Sequence, residues 1–234
     1  MRISTWLVTT LLLIAQGVSA LDPFEASYTS KYGVLSASGS RSLEPGEEGT
    51  WLLQHNARLL LVTVAEQSRF RIDKGVVVPL DYAFTNPLSS NRSQSLHFDW
   101  ERQEVTELNR DSRLALTPRL YDRLSYQVQV KLDICADPAA FQSADYQFVD
   151  RDRVKSYRVS RVKEEVLTTD VGPLRTLRLR QVRADKQDDE PTYMWVAIDW
   201  QCLLVRLEQQ EDGKVLSLRL KSARVGNQPV HGIQ

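Results

Sequence analysis

The sequence predicts a mainly β fold, a β-rich α+β architecture in which one long antiparallel meander forms a curved half-barrel or barrel with one central helix. Three observations carry this expectation. Apolar and polar residues alternate with period two in short runs along most of the chain. Clusters of Gly, Pro, Asn and Asp separate those runs. A single segment near the middle shows a four-residue apolar spacing instead. A sheet with one apolar and one charged face must hide the apolar face. With one helix for cover it curls around that helix or closes on itself, and either course leaves a concave apolar interior.

The chain begins with Arg2, an apolar run from Trp6 to Ala15, and the small residues Val18-Ser19-Ala20. This is the three-part pattern of a cleavable signal peptide. The apolar run, softened by Thr9 and Thr10, is too short to cross a hydrocarbon layer of ~30 Å as a helix. Cleavage after Ala20 is expected, with no cysteine following to take a lipid anchor. The expected division is residues 1–20 as signal peptide, 21–225 as a single β-rich domain and 226–234 as a flexible tail, with no membrane-spanning segment after cleavage.

The strands follow in order. Phe24, Ala26, Tyr28 and Ser30 alternate with Glu25, Ser27, Thr29 and Lys31. A turn at Tyr32-Gly33 leads to a run from Val34 to Leu43, and the Pro/Gly-rich stretch Glu44–Gly49 breaks it. Runs at 50–56 and 59–72 lead into Asp73-Lys74-Gly75, a Gly-containing hairpin turn. Strands at 76–85 and 96–101 flank a polar turn at 86–93. Leu116, Leu120, Leu124 and Val128 recur every fourth residue, which predicts a helix over about 118–132. Tyr126, Val128, Val130, Leu132 and Ile134 also alternate, a competing strand signal. Strand patterning returns at 146–149, 154–162 and 165–169, and Asp170–Pro173 turns the chain into 174–182. The charged turn 184–191 precedes two strands around Asp199, with Trp195 expected in the core. A last strand covers 214–225.

The full chain carries 30 basic and 30 acidic side chains, a formal net charge of zero. That balance gives no electrostatic reason to expect nucleic acid. Two cysteines, Cys135 and Cys202, are present. In an oxidising compartment they form a candidate disulfide, whose loop would be worth ~4 kcal/mol; two separate buried thiols are the alternative.

Recognisable catalytic signatures are absent from the sequence: no zinc-protease helix pair, no nucleophile elbow, no C-x-x-C. No catalytic residue, metal ligand or cofactor is therefore assigned. His97, Asp99 and Glu101 share one face of a strand and have the chemistry for a divalent cation, but a solvent face is the favoured reading. Arg175, Arg178, Arg180 and Arg183 suit a phosphate or acidic partner, or a solvated strand face. The aromatic set Trp51, Phe70, Tyr82, Phe84, Phe98, Trp100, Tyr126, Trp195 and Trp200 would line a cavity or fill a core.

Four stretches carry a resemblance: Phe98-Asp99-Trp100, Asp122–Gln129, the hairpin Leu167–Leu179 and the strand pair Met194–Glu208. Together they resemble the bacterial exported family known as domain of unknown function 3108. Leu204 departs from it, standing where the family often has proline. The resemblance implies export to the periplasm of a Gram-negative bacterium and a half-barrel similar to that of periplasmic lipoprotein carriers. It supplies no catalytic residues. The expected function is non-catalytic binding of a lipid-like or apolar small molecule, or a part in envelope maintenance. An interaction module for another envelope protein is the alternative, and an enzyme of unrecognised type the third choice.

Overall fold

The computed structural model describes residues 21–33, 35–59, 62–186, 190–211 and 213–233. The expected signal peptide lies outside the described residues. The first meander comprises β1 (Phe24–Tyr32), β2 (Leu35–Pro45), β3 (Thr50–Leu59), β4 (Val62–Asp73), β5 (Val76–Thr85), β6 (Gln94–Asp99), β7 (Glu104–Glu107) and β8 (Ser112–Ala115). The short β9 (Leu120–Tyr121) and the helix α1 (Ser125–Ala136) follow. A second meander comprises β10 (Ser143–Asp150), β11 (Arg153–Thr169), β12 (Gly172–Arg183), β13 (Thr192–Ala197), β14 (Leu203–Glu211) and β15 (Lys214–Val225). β15 pairs antiparallel with β1 and fuses the two meanders into one sheet, while β16 (Gln228–Pro229) folds back onto β15. β9 runs parallel to β10.

Chain connectivity explains why this sheet must curl. Its path runs from β8 at one edge through β1 and β15 to β9 at the other. Laid flat, a path of that many strands would span ~65 Å at the usual inter-strand spacing. Yet β8 ends at Ala115 and β9 starts at Leu120, so the edges are joined by a segment that reaches at most ~18 Å. The sheet therefore bends its edges towards each other, and α1, next in the chain, falls inside the curve. The result is an open, barrel-like sheet around one helix. Among the described residues, no helix is long and apolar enough to cross a membrane.

Period-two patterning decides which side chains enter the curve. Phe24 and Ala26 of β1 pair with Leu43 and Arg41 of β2 and with Val225 and Ala223 of β15, and all six are buried. Lys74 and Gly75 both take positive φ, 48° and 80°, as a two-residue hairpin turn that matches strand twist requires. The reading at 154–169 split one strand in two. β11 is continuous, and its register shift between Arg161 and Lys163 bends the strand without ending it. The hairpin β7–β8 went unread, because its two strands are only four residues long.

The helix is displaced from its expected span of about 118–132. Leu116, Leu120, Leu124 and Val128 are all buried, but Leu116 lies in the β8–β9 connection and Leu120 in β9. The start is set by Asp122. Its Oδ1 accepts the backbone N–H of Leu124 at 2.8 Å and of Ser125 at 2.9 Å. Ser125 Oγ in return accepts the N–H of Asp122 at 2.9 Å, a reciprocal capping box. The alternation from Tyr126 to Ile134 arises because Tyr126, Val128, Val130, Leu132 and Ile134 are all buried in a helix enclosed on several sides.

The C-terminal segment, expected as a flexible tail, is hydrogen-bonded to the sheet. Val230 is buried, Gly232 N–H donates to Val171 O at 2.8 Å and Ile233 N–H to Pro173 O at 2.8 Å. Trp200 Nε1 donates to His231 O at 3.1 Å. These contacts satisfy backbone groups at the β11–β12 turn, where Gly172 has φ +106° and a Cβ would meet Gly232 Cα at 3.0 Å. Gly172→Ala is therefore expected to lower the unfolding free energy by about 2 kcal/mol. Urea denaturation measures this, and an unchanged midpoint would remove the close approach as a stabilising feature.

Candidate ligand-binding site

One side of α1 is anchored by polar and aromatic contacts. Gln129 Oε1 accepts the N–H of Val77 at 2.8 Å, and its Nε2 donates to Gly75 O at 3.2 Å and Asp133 Oδ1 at 2.8 Å. Tyr146 OH donates to Asp133 Oδ2 at 2.9 Å. Tyr126 stacks on Phe148 with centroids 4.8 Å apart. These bonds hold α1 against β5 and β10. A disulfide between Cys135 and Cys202 ties its C-terminal end to the turn before β14.

Anchored in this way, the helix leaves a space beside its other face. Gln127, Val130, Lys131 and Ile134 line that space at i, i+3, i+4 and i+7, one stripe of a helix. Opposite them stand Phe24 and Tyr28 of β1, Arg41 and Leu43 of β2, and Leu53 of β3. Leu179, Met194, Val196 and Leu204 complete the wall from the second meander. The cavity encloses about 700 Å³ counted with its open mouth, and its lining is mostly aliphatic.

The polar groups in this wall are few. Tyr28 OH donates to Leu204 O at 2.9 Å, and burial pushes its ionisation up to about 12. Arg41 is 9% exposed, and its Nε is buried without a partner. Lys131 Nζ is likewise buried without a hydrogen-bond partner and lies 5.1 Å from the centroid of the Phe24 ring. Burial pulls the Lys131 ammonium down to about 8; Asp22 opposes this and Arg41 adds to it. His55, paired with Arg41 across β2 and β3, is pulled down to about 4 by burial, then by Arg41 and Arg123.

A second buried polar group, at the start of α1, is internally matched. Tyr82 OH donates to Glu66 Oε1 at 2.6 Å, and Arg123 Nε lies 3.3 Å from the same oxygen. Ser68 Oγ donates to Asp122 Oδ2 at 2.8 Å. Every charge in that cluster has a counter-charge or a donor.

The residues singled out from sequence are dispersed. His97 Nδ1 lies 2.8 Å from Asp81 Oδ1, Asp99 caps the turn at Arg102, and Glu101 sits beyond the strand end. Among the described residues, no three His, Cys, Asp or Glu side chains form a metal-holding group. Arg175 pairs with Asp199 and Arg183 with Asp185, while Arg178 lies over the Tyr193 and Trp195 rings. Trp195 is buried in the core, as expected, on the strand face opposite Met194 and Val196, which line the cavity. Arg178 and Arg206 cover its ring, and its Nε1 donates to Glu165 Oε1 at 2.8 Å. Of the aromatic set, only Tyr126 lines the cavity. Arg41 and Lys131 were missed, although Arg41 shares the inward parity of Leu43, a readable signal.

The geometry defines a class: an open, barrel-like antiparallel sheet with a helix inside and a largely apolar cavity between them. The chain belongs to DUF3108, a family described as proteins of unknown function, whose model matches residues 27–217. Among solved structures, the chain is similar to a beta-barrel-like protein of domain of unknown function DUF1849 from Brucella abortus. That match has 11% identity and a TM-score of 0.56, covering 88% of this chain and 98% of the other. It shows the fold alone. Looser matches are to a protein from Bacteroides fragilis described as exported with a YmcC-like fold (9% identity, TM-score 0.37, covering 87% and 96%) and a lipoprotein from Parabacteroides distasonis (11% identity, TM-score 0.34, covering 88% and 96%). Comparison with curated proteins finds no match.

Proposed function

We propose that this protein is an exported, periplasmic, non-catalytic binding protein that holds a lipid-like or apolar molecule between α1 and the sheet. The observation that carries the reading is the cavity itself: aliphatic walls from β1–β3 and β12–β14 facing one stripe of an anchored helix. The signal-peptide pattern of residues 1–20 supports export. The test is native mass spectrometry of protein purified from its source compartment, with organic extraction of bound material. A discrete co-purifying mass of lipid size is expected. Val130→Trp, which puts an indole into the cavity, is expected to remove that mass while far-UV circular dichroism stays unchanged. Wild-type protein that is free of bound material and takes up no apolar dye would sink the reading.

A second reading, docking of another envelope protein, draws on Leu88 and Leu108. They are 75% and 60% exposed on the β5–β6 and β7–β8 loops, and Arg110 of the second loop donates to Asn91 O of the first at 2.6 Å.

A further inference from the structure

The cavity has a feature that an apolar ligand alone does not require. Arg41 and Lys131, from β2 and α1, both reach its wall, and among the described residues neither has a hydrogen-bond or ion-pair partner. Buried cations are normally paired, because an unpaired charge in a low-polarity setting loses its hydration without return. The same interior pairs Arg123 with Glu66 at 3.3 Å. Asp22 acts on Lys131 electrostatically, but outside ion-pair range. Two like charges therefore face one apolar space, and each disfavours the other.

From this, and resting on the binding reading above, we infer that the cavity takes an anionic amphiphile, a hydrocarbon chain ending in a carboxylate or phosphate held by Arg41 and Lys131. The arginine offers a planar fork of donors to two oxygens of the head, and the lysine adds a point charge. The chain would lie along Val130 and Ile134 of α1, facing Leu43, Leu53 and Val196. The buried lysine is then a binding group kept at the expense of the empty protein's stability.

The test uses the full mature chain after delipidation, with four single-chain probes: decanoate, decyl phosphate, decanol and decyltrimethylammonium, measured by calorimetry. At least one anion is expected to bind ten-fold or more tightly than decanol, and the cation most weakly. The tighter anion identifies the head as carboxylate or phosphate. Arg41→Met with Lys131→Met is expected to bring the anion-to-decanol affinity ratio down to about one. Lys131→Met alone is expected to raise the melting temperature of the empty protein. If decanol binds wild-type protein as tightly as both anions, the charge inference fails and the apolar-binding reading stands. If no probe binds, both fail. The wild-type comparison decides these outcomes even if a variant does not fold.

Discussion

Loss of the Cys135–Cys202 disulfide, through Cys135→Ser with Cys202→Ser, is expected to lower the unfolding free energy by about 4 kcal/mol. The bridge spans a sequence separation of 67 residues, with Cα atoms 6.0 Å apart. Opening a loop of that length returns a large part of its conformational freedom to the unfolded chain. In the folded state the bridge joins the last turn of α1 to the turn before β14, where Gln201 and Cys202 hold φ at 54° and 49°. Cys202 is itself part of the cavity wall. Reduced protein should therefore lose both stability and ligand affinity, because Lys131 and Ile134 sit on the helical turn that the bridge fixes. Urea denaturation of oxidised wild type against the double variant checks the first point. A difference under about 1 kcal/mol would mean that hydrogen bonding through Gln129 and Asp133 holds α1 without the bridge.

The sequence made the hairpin at Lys74-Gly75 legible, because turn chemistry is local: those two positions need positive φ, and the residues present permit it. The helix was less legible for a physical reason. Amphipathic periodicity marks a helix with one wet face, whereas α1 packs on β5 and β10 and also borders the cavity, so buried residues appear around its circumference. Its true start carried a signal of a different kind, Asp122 followed three residues later by Ser125. Trp195 belongs to the buried core as expected, although strand parity puts it on the face opposite Met194 and Val196, under two arginines. For the candidate site, parity at Arg41 was readable. The meeting of Arg41 with Lys131 was not, since it depends on how the sheet curls around the helix. Likewise, sequence left disulfide and separate thiols open, because distance in space decides between them.

Asp122→Ala is expected to cost about 3 kcal/mol, because it removes the acceptor for two helix-start N–H groups and for Ser68 Oγ inside a buried site. Asp122→Asn keeps an acceptor for the two N–H groups, so it isolates the charge. Burial pushes the Asp122 carboxyl from 3.8 up to about 6, against the lowering effect of its donors from Ser125, Ser68 and Leu124. A raised folded value means that this group's stabilisation is full below pH 3.8 and lost as pH rises through 6. His55 works in the opposite sense. Its folded value of about 4, against 6.5 unfolded, gives stabilisation that is present above pH 6.5 and lost as pH falls through 4. Between pH 4 and 6 the two groups therefore act on stability in opposite directions in wild type. Asp122→Asn should uncover the His55 slope: on acidification from pH 6.5 to 4 its urea midpoint falls more steeply than that of wild type. A level profile in the variant would mean that His55 takes up its proton in the folded state, and with it that the Arg41 side of the cavity is open to water.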